Sequence, residues 1–146
     1  MNSTSAEERF AIQDLYARYA WALDTGDYET YASLFTPDGA FIERGVPYRG
    51  RPAMADHVRE LVTPMKPGNR HHNTQILFED GDSERCRLRC YSTHIFRPDP
   101  DGPSVVRLQG FYRDVCVKAG GVWYFEQREW DESDPEKIEQ YRPTPR

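Results

Sequence analysis

The sequence predicts an α+β fold, a curved antiparallel sheet packed on N-terminal helices and closed into a cone with one open end. Two observations predict it. Apolar residues recur with a helical period near the N-terminus and again up to Val62, then with a period of 2 from Arg70 onward. Turn signals then divide the second half into four strand-length runs, about 71–79, 84–97, 104–118 and 122–130. Helices first and strands second is the α+β order. Consecutive strands joined by short turns form an antiparallel meander.

The first helix opens on a capping box, Ser5 with Glu8, in which each side chain meets the other residue's backbone N–H. Its apolar stripe is Ile12, Leu15, Tyr16, Tyr19, Ala20 and Leu23. Thr25-Gly26 stops it, with Gly26 suited to a left-handed cap. Asp27 caps a second short helix, Tyr28 to Phe35, ended by Pro37-Asp38-Gly39. Two short strands, Ala40 to Glu43 and Val46 to Arg49, flank a turn at Arg44-Gly45. Pro52 suits the first position of a third helix reaching Val62, with Met54, Val58, Leu61 and Val62 on one side. Pro64 and Pro67-Gly68 close that helix. In the second half, Gly81-Asp82, Asp99 to Pro103 and Ala119-Gly120-Gly121 separate the strands. The whole chain, 1–146, reads as one domain with a core of about 5–130 and an extended charged tail, 131–146.

Composition excludes several classes. A net charge of −5 argues against a nucleic-acid or anionic-membrane partner, since both need a basic face. No apolar run approaches the roughly 20 residues of a membrane span, and the N-terminal residues carry no secretion pattern. Cytoplasm is the expected compartment. Cys86, Cys90 and Cys116 are odd in number and lack a Cys-x-x-Cys, so they read as buried thiols in a reducing cell. There is no His-x-His or Glu-x-x-His pattern, no glycine-rich phosphate loop and no nucleophile elbow. Neither a metal nor a cofactor is therefore expected. The 3 Trp, 9 Tyr and 7 Phe can line a cavity for a flat ligand.

An aspartate and several histidines carry the chemical reading. Asp24 ends the first helix on its buried side, facing the negative end of the helix dipole, at a cost of about 0.3–1 kcal/mol. An inward acid in that position calls for a partner. His71 and His72 open the first long strand and point to opposite faces, so one of them can see a pocket. His94 shares a mostly apolar strand face with Leu88, Cys90, Ser92 and Phe96, so it is expected to be buried. His57 lies on a helix between charged residues and reads as surface. Tyr16, Tyr19, Tyr48, Tyr112 and Trp130 are candidates for a pocket wall, and a tyrosine hydroxyl there can polarise a carbonyl.

The segment from Ala11 to Asp27, then Leu34-Phe-Thr-Pro-Asp38, resembles the SnoaL-like branch of the nuclear transport factor 2-like superfamily. Further matches are the Gly50-Arg-Pro-Ala helix start, Arg70-His71-x-x-Thr74, Gly110-x-Tyr112-x-Asp114, and Gly121-Val-Trp123 with Arg128. They span about residues 9–130 in the family's order. The resemblance implies a cystatin-like α+β barrel with a pocket between the sheet and the first helices. The family includes scytalone dehydratase, hexachlorocyclohexane dehydrochlorinase, steroid isomerases, polyketide cyclases, epoxide hydrolases and catalytically silent subunits, so the fold does not fix the reaction.

In its dehydratase and dehydrochlorinase members an Asp ending the first helix pairs with a His on the first long strand. Asp24 and His71 match those positions, which selects His71 over His72. The usual Thr-Asn after that His reads Thr74-Gln75 here, and Leu23 replaces the Tyr that precedes the dehydratase Asp. His94 falls near a second pocket His by spacing, and Arg128 resembles the family's Arg after the Trp. The implied function is a cofactor-free lyase on a small cyclic or aromatic substrate. His71 is the base, Asp24 its orienting partner, and His94 or a tyrosine assists the leaving group or holds an enolate oxygen. Tyr16, Tyr19, Tyr48, Tyr112, Arg128 and Trp130 are the substrate-binding candidates. Dehydration leads, because a second His would supply the acid that loss of water needs. A polyketide cyclase or isomerase with the same dyad, and a non-catalytic ligand-binding or partner subunit, are the alternatives. A homodimer or homotrimer is expected from the open outer face of the sheet.

Overall fold

A computed structural model describes residues 4–62, 68–132, 142, 143 and 145. Helix α1, Ala6–Thr25, begins with the expected capping box: Ser5 accepts from the Glu8 N–H, and Glu8 accepts from the Ser5 N–H at 2.9 Å. Gly26 ends it at φ +72°, a conformation that costs glycine nothing. The buried stripe is Ile12, Leu15, Tyr16, Tyr19, Ala22 and Leu23. Ala22 takes the place expected for Ala20, which is half-buried.

Helix α2, Tyr28–Ser33, is capped by Asp27, which accepts from the Thr30 N–H at 3.0 Å. It stops short of Phe35, because Phe35 already belongs to strand β1, Phe35–Glu43, and pairs with Phe125. The Phe125 N–H also takes the Leu34 carbonyl at 2.9 Å. Pro37-Asp38-Gly39 therefore lies within a strand, where the register to its neighbour is broken between Phe35 and Ala40. Strand β2, Val46–Arg49, returns through Arg44 at φ +49° and Gly45 at φ +79°, the doubly left-handed turn that suits a two-residue hairpin. Helix α3, Arg51–Val62, buries Met54 and Val58. Pro52 is its second residue rather than its first; in the first turn its missing N–H costs nothing. The Val62 side chain, Pro64 and Pro67 lie outside the described residues, as does most of the expected tail from 133 onward.

The meander follows as β3 (Arg70–Gly81), β4 (Arg85–Phe96), β5 (Val105–Ala119) and β6 (Val122–Glu132). The six strands form one sheet in the order β2-β1-β6-β5-β4-β3. Every pairing is antiparallel except β1 with β6, which is parallel. The chain leaves the β1–β2 hairpin through α3, starts again at the opposite edge, and meanders back to β1. Register breaks in β3, between β4 and β5, and between β5 and β6 mark bulges, which bend a sheet. The sheet curves around α1, whose Tyr16 and Tyr19 pack on Phe125 at 5.3 and 5.7 Å between ring centroids. Ile12, Phe35 and Phe125 are fully buried, worth about 1.5–3 kcal/mol each for an apolar side chain of this size. Cys86, Cys90 and Cys116 are free, buried thiols. Among the described residues no helix is long and apolar enough to cross a membrane.

Candidate active site

The last turn of α1 delivers Asp24 to the start of β3. Its Oδ1 lies 2.6 Å from His71 Nδ1, and the two side chains are only 8% and 4% exposed. The same carboxylate accepts the His71 backbone N–H, at 3.0 Å to Oδ2 and 3.3 Å to Oδ1. These bonds offset the poor placement of an acid at a helix C-terminus. A carboxylate on Nδ1 makes that nitrogen the donor and leaves Nε2 with its lone pair. His72 is exposed on the other face of the strand.

His71 forms part of the wall of a cavity of about 540 Å³, lined also by Tyr19, Leu23, Phe41, Glu43, Tyr48, His94, Tyr112 and Trp130. That volume suits a ring-sized ligand. His94 is the cross-strand partner of His71 in the β3–β4 ladder, with ring centroids 4.0 Å apart, and it lies 5.5 Å from Trp130. Burial, then the neighbouring His71 and Arg107, push its pKa down to about 3. His94 is therefore neutral at ordinary pH. A neutral imidazole can hold an oxygen but is a weaker proton donor than the imidazolium acid the sequence reading calls for. Its Nε2 is buried without a hydrogen-bond partner among the described residues.

The remaining candidates divide into wall and floor. Tyr19, Tyr48, Tyr112 and Trp130 line the cavity. The Tyr19 and Tyr112 hydroxyls meet at 3.4 Å, and burial pushes both well above the ordinary phenol range. Tyr16 and Arg128, expected at the substrate wall, line no part of this cavity. Arg128 is fully buried, with its guanidinium 3.8 Å from the Tyr112 ring, 4.1 Å from Tyr19, 4.6 Å from Phe125 and 4.7 Å from Tyr16. Its Nε is 3.6 Å from Asp114 Oδ1, and the Tyr16 hydroxyl donates to the other Asp114 oxygen. Burial pushes the Asp114 carboxyl up to about 6, against the opposing pull of Arg128 and of the Tyr16 hydroxyl. This ion pair sits in the core beside the cavity tyrosines and braces them.

His57 and Glu43 escaped the sequence reading. His57 is not a surface residue: its side chain is 9% exposed, its Nε2 is 2.9 Å from Glu43 Oε2, and its ring stacks on Tyr48 at 3.4 Å. Its place three residues after Met54 and one before Val58, on the buried side of α3, was the available signal. Glu43 lies two residues after Phe41 and so shares its inward face. Among the described residues no cluster of three or more His, Cys, Asp or Glu could hold a metal ion.

Comparison with known proteins locates this architecture. A family model for a SnoaL-like domain matches residues 4–129. No curated protein matches the chain. Among solved structures, a function-unknown protein from Mycobacterium tuberculosis is 30% identical, with a TM-score of 0.78 over 89% of this chain and 75% of the other. A proposed scytalone dehydratase from Novosphingobium aromaticivorans is 27% identical, with a TM-score of 0.76 over 90% and 87% of the two chains. A protein of unknown function with a cystatin-like fold, from Nostoc punctiforme, is 24% identical, with a TM-score of 0.80 over 92% and 96%; that likeness concerns the fold alone. With a match over most of its length and this curved sheet packed on helices, the chain belongs to the SnoaL-like domain family and has a cystatin-like fold.

Proposed function

We propose that the protein is a cofactor-free lyase of dehydratase type that takes a proton from a small cyclic or aromatic substrate. The observation that carries this reading is a histidine in the cavity wall whose Nδ1 is held by a buried carboxylate at 2.6 Å. His71 Nε2 accepts the acidic C–H proton. Asp24 keeps the tautomer and stabilises the imidazolium that forms. The electrons released from the C–H bond pass to a carbonyl oxygen, which His94 Nε2 or a tyrosine hydroxyl holds as an enolate. As the enolate collapses and the C–O bond breaks, the imidazolium returns its proton to the departing hydroxyl, and water leaves. One histidine thus serves as base and then as acid, because His94 stays neutral.

That same neutrality favours a second reading. If the imidazolium returns its proton to carbon instead, the site is an isomerase, and if the enolate attacks a second carbonyl it is a polyketide cyclase. Product analysis with a β-hydroxy ketone and with a poly-β-keto ester separates the three. The test of the dyad is kinetic: His71→Ala and Asp24→Asn are expected to lower kcat by about 10²–10⁴. Turnover that survives both within about tenfold refutes the dyad. A ligand that raises Tm with no turnover on any such substrate supports a binding subunit instead.

A further inference from the structure

In a regular strand Arg107 and Leu108 point to opposite faces of the sheet. Here both line the cavity. The cause lies in the ladder. His94 and Ile95 are consecutive in β4, yet their partners in β5 are Leu108 and Val106, so Arg107 is an extra residue. A bulge of this kind takes a side chain out of the alternation and re-aims it. It turns a cation toward the cavity beside His94.

Arg107 takes part in none of the ion pairs among the described residues. The other arginine of the cavity wall, Arg44, is held by Glu132 at 2.6 Å. Next to Arg107 sits His94, 6% exposed, with an Nε2 that has no partner among the described residues. A buried polar atom without a partner calls for one. A neutral imidazole can donate from Nε2, and a guanidinium donates through several N–H groups, so the pair is complementary to one acceptor-rich, negatively charged oxygen.

We propose that Arg107 and His94 form an oxyanion subsite, and that the substrate carries a ring carboxylate or phenolate oxygen that seats there. The proposal deepens the proton-abstraction reading and rests on its cavity. An anionic or enolisable oxygen at this point lies on the His71 side of the cavity, where the developing charge needs a cation. The subsite narrows the substrate from any small ring to a ring bearing an acidic oxygen.

Calorimetric titration tests it without turnover. The probes are benzoate against benzamide and 4-nitrophenolate against nitrobenzene. The proteins are the wild type, Arg107→Gln, Arg107→Lys and His71→Ala. Because Arg107 is exposed, the expected preference of the wild type for at least one anion over its neutral partner is about fivefold. The preference disappears in Arg107→Gln, persists in part in Arg107→Lys, persists in His71→Ala, and shrinks at about 0.5 M salt. Which anion shows it distinguishes a carboxylate from a phenolate. Equal or absent binding of both members of each pair to the wild type overturns the proposal, as does a preference that Arg107→Gln leaves intact. Failure of the His71 kinetic test would remove the base and leave this binding result standing, so the two readings fail separately.

Discussion

A histidine held neutral inside the protein makes folding depend on pH, and His94 offers the clearest case. Burial and the neighbouring His71 and Arg107 push its pKa from 6.5 down to about 3. The unfolded chain therefore takes up a proton at this position as pH falls through 6.5, while the folded chain does not. The stabilisation is complete above pH 6.5 and is lost progressively down to about pH 3. Linkage puts the full effect on the order of 5 kcal/mol, and the part lost between pH 7 and pH 4.5 at about 2.5 kcal/mol. Urea unfolding of the wild type and of His94→Gln at those two pH values measures it. The wild type is expected to lose about 2.5 kcal/mol more than the variant on acidification. In parallel, the His94 ring proton, assigned by its absence in the variant, should hold its chemical shift from pH 8 down to about pH 4. Equal acid losses in the two proteins, or a His94 resonance that titrates near 6.5, refute the reasoning.

Further substitutions at three places probe the frame around the site. Arg128→Met strands the Asp114 carboxylate in the core and should cost about 3–5 kcal/mol, whereas Arg128→Met with Asp114→Leu should recover most of that loss. Urea melts of the two variants and of Asp114→Leu alone complete the cycle, and independent, additive effects would contradict it. A Cβ at Gly110 would lie 2.7 Å from Trp130 Cη2 and 2.5 Å from the Asp131 carbonyl oxygen, so Gly110→Ala should cost about 1–3 kcal/mol and displace the indole beside His94. An unchanged Tm and unchanged ligand affinity would count against that contact. Gln75 sits at φ +53° in the β3 irregularity, where asparagine is at home and glutamine is not. Gln75→Asn should therefore stabilise by about 0.5–1 kcal/mol, read as a rise in Tm.

The parts of the fold that depend on neighbours in the chain were legible in the sequence. The Ser5–Glu8 box, the Gly26 stop, the Asp27 cap and the Arg44-Gly45 turn each follow from a few adjacent residues. The four long strands announced themselves by alternation. What the sequence hid depends on distant partners. Phe35 is a strand residue because it pairs with Phe125, and the parallel β1–β6 contact exists because the meander returns to the first hairpin. The site divides in the same way. Helix polarity marked Asp24, and alternation reduced His71 and His72 to one inward candidate. His57 was misread because its charged helix neighbours outweighed Met54 and Val58, which set the buried face. Arg107 was invisible, since alternation places it outside the cone and only the bulge against His94 and Ile95 brings it in.

The Asp24 carboxylate grips His71 twice, by the main chain and by the ring. Ring, backbone amide and carboxylate close a small hydrogen-bonded loop between the end of α1 and the start of β3. Helix docking and base orientation are therefore a single mechanical coordinate. The imidazole cannot swing without loosening the helix from the sheet, and the helix cannot shift along the sheet without turning the imidazole. The orientational entropy of the proton acceptor is thereby lost when the chain folds rather than when substrate arrives. A substitution that loosens the end of α1, even one remote from the cavity, would be felt first as a change in the aim of Nε2.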